Sequence, residues 1–231
     1  MENSKEQPNI ENIEPPSNKK PIKGGAFYRF WKRFFDIFLS LLAILLLSPV
    51  LLILTIIQLF ATKGHPIFAD IRVGKKGKTI KVLKYRSMVY DAETNIDKYL
   101  TPEQKEMWIR ERKLDDDPRI TKLGNILRKT SLDELPQLFN IFAGSMSIVG
   151  PRPMTQRELD KHFTEEERKI LYTARPGLTG YWQVSGRNEV DFDSGERQRL
   201  ELEYFSKRGF WFDTKIMFKT IPAVLKKKGA K

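Results

Sequence analysis

The sequence predicts an α+β fold, mainly helical, that is attached to a membrane through one apolar segment. Three features predict it: an aliphatic run from Ile37 to Ile57, later segments with apolar residues at three-and-four spacing, and one pair of short β-prone runs. At 231 residues the chain can hold one domain with a sizeable core plus a tail or an anchor. We therefore divide it into a tail (1–25), a membrane-embedded segment (26–62) and a compact domain (63–231).

The composition limits the chemistry available to the chain. Forty-one Lys and Arg residues outnumber 29 Asp and Glu residues, and the formal net charge of +12 favours an anionic partner: nucleic acid, anionic lipid or a phosphorylated substrate. The absence of cysteine excludes disulfides, thiolate zinc sites and cysteine nucleophiles. With only His65 and His162, a histidine metal cluster is not expected. The chemistry must come from carboxylates, hydroxyls and cations.

The tail is rich in Glu, Asn, Lys and Pro and has almost nothing apolar to bury. We expect it to be disordered, because such a segment cannot offset its loss of conformational entropy. It is not expected to be a signal peptide, since the apolar run comes later and no small-residue cleavage pattern follows it.

The aliphatic run is long enough to cross a hydrocarbon core of about 30 Å. Pro49 within it removes one backbone hydrogen bond and kinks the helix, while the hydroxyl of Ser48 can bond to a carbonyl that is left free. Basic residues are balanced on the two sides, so their distribution favours neither orientation, as expected if both flanks stay in the cytoplasm. A kinked helix that spans the bilayer is the alternative. The basic flanks are Lys19, Lys20, Lys23, Arg29, Lys32 and Arg33 before the run, and Lys63, Arg72, Lys75, Lys76, Lys78 and Lys81 after it.

The segment PIFADIRVGKKGKTIKVLKYRSM predicts a β-hairpin around a turn at Gly74–Gly77. Lys84 and Arg86 are two residues apart on its second strand, so they share a face and could point together at an anion. A solvated strand face is the alternative.

Residues 91–118 are mostly charged, and we expect exposed helices there. For Asp115–Pro118 we favour a solvated loop over a metal site, because no glycine-spaced calcium loop accompanies it.

The stretch from Arg119 to Pro153 combines apolar periodicity with a carboxylate pair. Two amphipathic helices are predicted to meet near residues 130–134, with Asp133 and Glu134 at the junction. Ser131 or Asp133 can cap the second helix, whose positive end would keep the Asp133 carboxylate ionised and able to attack an electrophile or hold a cation. The alternative is a capping box formed by Ser131 and Glu134.

A stiff loop follows, in which Pro151 and Pro153 restrict the backbone on either side of Arg152. It suits presentation of a guanidinium to a phosphate, although a rigid turn with a solvated arginine is an equal alternative.

One helix is then predicted over 154–173. Amphipathic helices near the C-terminus could lie on the membrane surface or pack into the core. Their apolar residues are Tyr204, Phe205, Phe210, Trp211, Phe212, Ile216, Met217, Ile221, Val224 and Leu225.

Two sequence segments together resemble a known family. SLDELPQLFNIFAGSMSIVGPRP and the later RPGLTGYWQVSGR are similar to the motifs of the bacterial sugar transferases, the monotopic phosphoglycosyl transferases, and the likeness extends over nearly the whole chain from about Phe27. It implies an enzyme that moves a sugar-1-phosphate from a UDP-sugar to a polyprenyl phosphate, initiating polysaccharide or glycoconjugate assembly. It also implies a re-entrant membrane helix hairpin broken at Ser48 and Pro49, with the catalytic domain on the cytoplasmic face of the bacterial inner membrane. The chain resembles the minimal catalytic form rather than larger relatives with extra transmembrane helices.

The resemblance also implies roles for individual residues. Asp133 would attack the β-phosphate to form an aspartyl phosphosugar, Glu134 would position groups or handle a proton, and Mg²⁺ would be shared between Asp133 and the diphosphate. Membrane lipids are expected as partners, and nucleic acid is not. Two alternatives stay open: a single-displacement transferase in which Asp133 only holds the metal, and a membrane-anchored module that binds nucleic acid through its charge. The remaining predicted contacts are Lys84, Arg86, Arg128 and Arg152 to phosphate, and Arg175, Gln183 and Arg187 to the nucleotide or sugar.

Overall fold

The computed structural model of the chain describes residues 23–111, 114, 116–185 and 194–225. Within them the fold is α+β and mainly helical, with a long apolar N-terminal helix and a small β-hairpin, which confirms the predicted class. The predicted tail lies almost entirely outside the described residues. The helices are α1 (Ala26–Ala61), α2 (Ile96–Tyr99), α3 (Pro102–Glu111), α4 (Lys122–Thr130), α5 (Gln137–Ala143), α6 (Gln156–His162), α7 (Glu165–Leu171), α8 (Tyr181–Ser185), α9 (Glu196–Lys207) and α10 (Phe210–Leu225).

Helix α1 is the apolar segment, and it runs for 36 residues as one element with Pro49 inside it. Proline has no N–H for the carbonyl four residues earlier, which belongs to Leu45. The hydroxyl of Ser48 donates to that carbonyl over 2.8 Å, as the sequence predicted. Among the described helices, α1 has the length and composition to cross a membrane, with a mean hydropathy of 3.0 in its most apolar window.

The first half of α1 is fixed to the rest of the molecule by polar side chains. Asp36 is buried and accepts hydrogen bonds from the Ser147 hydroxyl (3.0 Å) and the Ile148 N–H (2.9 Å). Arg33 donates to the backbone carbonyls of Ile141 (2.7 Å) and Phe142 (2.8 Å). The start of α1 is therefore attached to the compact domain.

The second half of α1 contacts the same domain. The Tyr85 hydroxyl lies 3.0 Å from the Thr55 hydroxyl and donates to the Leu51 carbonyl over 2.8 Å. The buried side chain of Gln58 donates to the Arg86 carbonyl over 3.0 Å. One face of the helix is thus bound to the domain along both halves, while many large apolar side chains on its other faces are exposed.

Two small sheets shape the domain. Strands β1 (Ile67–Val73) and β2 (Thr79–Tyr85) form the predicted antiparallel hairpin, joined by a 3-10 turn over Lys75–Gly77. Strands β3 (Ser147–Val149) and β4 (Gly177–Thr179) form a parallel pair that the sequence analysis did not predict.

The glycines beside β3 and β4 allow close backbone approach. A Cβ atom on Gly177 would lie 2.2 Å from the Gly150 nitrogen, and one on Gly180 would lie 2.4 Å from the Gly150 carbonyl oxygen. Neither Gly177 nor Gly180 has a positive φ, so it is the close approach of the backbones that favours glycine at these positions. They let the Pro151–Pro153 loop lie directly against the start of β4.

Two other local predictions are corrected. The single helix expected over 154–173 is two helices, because Thr164 forms a second capping box with Glu167 and starts α7. The Asp115–Pro118 run is not a simply solvated loop: Asp117 accepts hydrogen bonds from the guanidinium of Arg119, which is 2% exposed and stacks on Trp108. Asp115 itself lies outside the described residues.

The C-terminal helices divide their apolar residues between core and surface. Tyr204, Phe205 and Ile216 are buried in a cluster with Val149 and neighbouring residues. The exposed apolar side chains of α10 are Phe210, Trp211, Phe218 and Ile221. Helix α10 therefore packs on the core with one face and presents apolar side chains on another.

Candidate active site

The two adjacent carboxylates lie on a single 3-10 turn, Leu132–Glu134, between α4 and α5. Helix α4 ends at Thr130, and the next residue, Ser131, has a φ of 57° in the left-handed region. No side-chain cap bond is made at Ser131 or at Pro136, the residue before α5. The predicted capping by Ser131 or Asp133, including the capping box with Glu134, is therefore wrong, because Ser131 terminates α4 instead of starting α5.

The turn is held in place by the apolar residues that flank the carboxylates. Leu132 and Leu135 pack against the buried cluster of Leu51, Tyr85 and Leu127. These three come from α1, the hairpin and α4. The acidic turn therefore sits where the three elements meet.

The surroundings of Asp133 set its protonation. Burial and the neighbouring charge of Glu134 raise the pKa of Asp133 to about 6, while Lys84 and Arg128 lower it. The sequence analysis expected the helix end to stabilise the charge, and that direction is wrong because burial outweighs one short turn of aligned peptides. At pH 7 the carboxylate is still ionised in about nine molecules of ten.

The two cations that act on Asp133 are positioned by specific contacts. Gly124 lets α4 lie against the backbone of Ser87, since a Cβ atom there would be 1.9 Å from the Ser87 carbonyl oxygen. One turn further on, the Arg128 Nε donates to the Ser87 hydroxyl over 2.8 Å. Lys84 reaches from strand β2, with its Nζ 3.5 Å from a carboxylate oxygen of Asp70.

Lys84 belongs to a chain of ion pairs that the sequence analysis missed. Asp70 also pairs with Arg72 (2.7 Å), and Arg72 pairs with Glu158 (3.0 Å), which lies on α6 after the proline loop. Asp70 and Arg72 are two residues apart on β1, so they share a face of the strand. That spacing could have predicted their ion pair from the sequence.

The loop that carries Arg152 is fixed by a buried carboxylate. Glu201 is 2% exposed, and both its oxygens accept from the Arg152 N–H, at 3.2 and 3.4 Å. Burial raises the pKa of Glu201 to about 7, although the Arg152 N–H and the charge of Arg197 oppose this. The Arg152 guanidinium lies 5.6 Å from the centre of the Trp182 ring. Sequence reasoning could not find Glu201, because its partner is 49 residues away.

The other predicted ligand residues are dispersed. Arg86 donates to the His65 carbonyl over 3.0 Å and stacks on Phe68 and Tyr90, so it does not share the surroundings of Lys84 as predicted. Arg175 donates to the Gly144 carbonyl over 2.7 Å. Arg187 lies outside the described residues. Lys84 and Arg128 are the predicted phosphate ligands that the structure brings to Asp133.

A large apolar groove of about 1430 Å³ begins at the acidic turn and runs between α1 and α10. Glu134 and Gln183 are on its wall, and the Gln183 Oε1 is buried without a hydrogen-bond partner among the described residues. The apolar wall includes Leu39, Leu47, Leu132, Leu135, Met217 and Ile221.

Two adjacent carboxylates on the acidic turn, those of Asp133 and Glu134, would suit a magnesium ion bound together with a substrate phosphate. No cluster of three or more His, Asp or Glu side chains suited to a metal occurs in the described part of the chain. Mg²⁺ commonly takes one or two carboxylates and completes its shell with water and substrate phosphate oxygens. Asp133 and Glu134 supply two carboxylates whose mutual repulsion a cation would reduce.

Comparison with known proteins gives relatives along most of the chain. A UDP-galactose-lipid carrier transferase of Erwinia amylovora is 44% identical over 87% of this chain and 42% of its own length. An undecaprenyl-phosphate galactose phosphotransferase of Salmonella typhimurium is 41% identical, with the same two coverages. The exopolysaccharide production protein ExoY of Sinorhizobium fredii is 41% identical over 86% of this chain and 87% of its own length. The chain thus spans less than half of the first two relatives and most of the third.

The family model described as bacterial sugar transferase matches residues 27–227, a range that includes α1 from Phe27 onward, the acidic turn and α10. The chain belongs to the bacterial sugar transferase family.

Proposed function

We propose that the protein is a phosphoglycosyl transferase, which moves a sugar-1-phosphate from a UDP-sugar to a polyprenyl phosphate, such as undecaprenyl phosphate, at the membrane. The observation that carries this proposal is the half-buried Asp133 beside Glu134, with Lys84 and Arg128 acting on it and an apolar groove starting at the same turn. Cations beside a carboxylate suit an anionic phosphate donor, and the groove suits a hydrocarbon acceptor. The printed names of two relatives, a lipid carrier transferase and an undecaprenyl-phosphate phosphotransferase, support this substrate pair.

Asp133 is the proposed nucleophile in two displacements. A carboxylate oxygen of Asp133 attacks the β-phosphorus, the bond from that phosphorus to the bridging oxygen breaks, and UMP leaves with the electron pair. A phosphate oxygen of the polyprenyl phosphate then attacks the same phosphorus and releases the carboxylate. This order suits a soluble donor and a lipid acceptor, because they need not occupy the site together.

The residues around Asp133 reduce charge repulsion or position the substrates. Lys84 and Arg128 reduce repulsion between the carboxylate and the incoming phosphates. Glu134, on the groove wall, is placed to position the acceptor or to handle a proton. Magnesium, held by Asp133 with Glu134, would neutralise charge on the diphosphate. Arg152 is a further candidate phosphate ligand, on a loop whose backbone Glu201 holds.

We also propose that both ends of α1 face the cytoplasm, with Ser48 and Pro49 at the kink of a re-entrant segment in the bacterial inner membrane. Both halves of the helix bond to one domain, through Asp36 near its start and Gln58 near its end. A helix crossing the bilayer would carry those two residues to opposite sides of the membrane. The name of the Sinorhizobium relative supports a role in exopolysaccharide production.

The transferase proposal predicts donor-specific release of UMP. The purified full chain, screened with UDP-sugars, magnesium and undecaprenyl phosphate, should release UMP from at least one donor. Asp133→Asn keeps the side-chain shape and should lower turnover by at least about a thousandfold, because the amide is a poor nucleophile. Asp97→Asn is the matched control, since Asp97 is 81% exposed in a surface ion pair. Equal activity of the Asp133 variant and wild type would refute the catalytic assignment.

The pH dependence of turnover should report the charge of Asp133. Its ionised form attacks, so the rate should fall as pH drops through about 6. Lys84 lowers the pKa of Asp133, and Lys84→Met should therefore move this acid limb to higher pH. Lys81→Met, an exposed change opposite Ile71 on the other face of the hairpin, should leave the limb in place. A limb that stays fixed or moves to lower pH in the Lys84 variant would contradict the assignment.

The proposed topology can be tested by labelling, because the native chain has no cysteine. Single cysteines at the exposed positions Lys23 and Lys78 lie before and after α1. Both should resist an impermeant maleimide in intact cells and react once the membrane is permeabilised. Labelling of one position but not the other in intact cells would show that α1 spans the bilayer.

A further inference from the structure

Five cations lie together where α1 begins: Arg29, Arg33, Lys75, Arg175 and Arg208, here called the cationic cluster. Two of them contact the backbone just before the helix. Arg29 donates to the Gly24 carbonyl over 3.1 Å, and the Arg208 Nε donates to the carbonyl of the preceding residue, Lys23. Because those carbonyls are adjacent, the two guanidiniums are held near each other.

Two further members lie at the end of α5. Arg33 is one turn after Arg29 on α1 and bonds to the last carbonyls of α5, while Arg175 bonds to the Gly144 carbonyl that follows them. The guanidinium of Arg33 also lies close to Gly144, 3.0 Å from where a Cβ atom would be. The end of α5 thus brings Arg33 and Arg175 together.

Lys75 joins the cluster from the turn of the β-hairpin. Its partial burial and the charges of Arg175, Arg29 and Arg208 lower the pKa of Lys75. Partial burial and the charge of Arg175 also lower the pKa of Arg33, while Asp36 raises it. Repulsion among these neighbouring cations opposes folding, and a bound anion would reduce it.

The cluster has no carboxylate partner within ion-pair distance among the described residues, since its guanidiniums bond to backbone carbonyls. Two arginines elsewhere are paired with carboxylates by contrast: Arg72 with Asp70 and Glu158, and Arg119 with Asp117. Each guanidinium has five N–H donors, so those bonded to carbonyls retain donors for another acceptor.

The cluster adjoins an exposed aromatic surface. Phe27, Phe30, Trp31 and Phe34 on the first turns of α1 are all at least 38% exposed, and their rings meet edge to face. Aromatic rings beside the start of an apolar helix are typical of the membrane–water interface. An anion bound by the cluster would have hydrocarbon beside it.

We propose that the cationic cluster binds the phosphate of an anionic phospholipid headgroup, while the lipid's acyl chains lie against the aromatic surface. Guanidiniums bind phosphate oxygens through paired N–H donors, and the bound charge would offset the repulsion among the five cations. Such a lipid would hold the start of α1 at the depth of the headgroups. The proposal does not rest on the transferase reaction, although Arg208, Phe27 and Trp31 also line the apolar groove that begins at the acidic turn.

The test uses the exposed Trp31 and Trp211 as reporters of nearby lipid. The full chain is reconstituted in vesicles of phosphatidylcholine mixed with brominated phosphatidylglycerol, and quenching of tryptophan fluorescence gives the relative binding constant of the two lipids. The wild type should prefer phosphatidylglycerol. Arg29→Gln and Lys75→Gln should each lower the preference about fivefold, because one cation near an anionic headgroup contributes that much. Raising the salt concentration should weaken it further.

Arg157→Gln is the matched control, since Arg157 is also exposed and donates to a backbone carbonyl, that of Arg110. It should keep the wild-type preference. Equal binding of the two lipids by wild type, or an unchanged preference in both cluster variants, would overturn the proposal. Loss of the preference on adding a few millimolar inorganic phosphate at constant ionic strength would also overturn it, by showing that the cluster takes free phosphate. These outcomes leave UMP release untouched, so failure here is distinct from failure of the proposed function.

Discussion

Two carboxylates on neighbouring residues of a half-buried turn form the constraint on which the active-site region depends. Their repulsion and the loss of water raise the pKa of Asp133, and the structure offsets both with Lys84 and Arg128. Each cation needs its own support: Arg128 is placed by the contact of α4 with Ser87, and Lys84 by Asp70. The result is a carboxylate that is mostly ionised at neutral pH yet not fully stabilised by solvent, which is the condition that nucleophilic attack requires.

Helix α1 is part of this construction and not a separate element. Leu51 of α1 belongs to the cluster under the acidic turn, together with Tyr85 of the hairpin. Asp36 and Gln58 attach the two halves of α1 to the same domain by hydrogen bonds to backbone atoms. A buried Asp without such donors would be costly, so these contacts fix the helix in one position. The apolar groove beside α1 therefore has a fixed position relative to the acidic turn.

Local patterns were sufficient to predict part of this arrangement. The periodicity of Leu123 and Leu127 indicated α4, the alternation around Gly74 indicated the hairpin, and Ser48 was expected to bond beside Pro49; all three are observed. What sequence could not supply was non-local. The pairing of β3 with β4 joins segments about 30 residues apart, and the burial that raises the pKa of Asp133 comes from packing that no spacing encodes. The left-handed Ser131 likewise fits the capping pattern in sequence but ends a helix in space.

The proposed mechanism requires a covalent bond between Asp133 and the phosphosugar, and this species can be trapped. The full chain is incubated with donor labelled in the β-phosphate, without acceptor, quenched in acid and measured by intact mass spectrometry. We predict a sugar-phosphate adduct on wild type, discharged by polyprenyl phosphate and missing from Asp133→Asn. If wild type carries no adduct, and steady-state kinetics require both substrates bound at once, the reaction is a single displacement and Asp133 serves as a metal ligand.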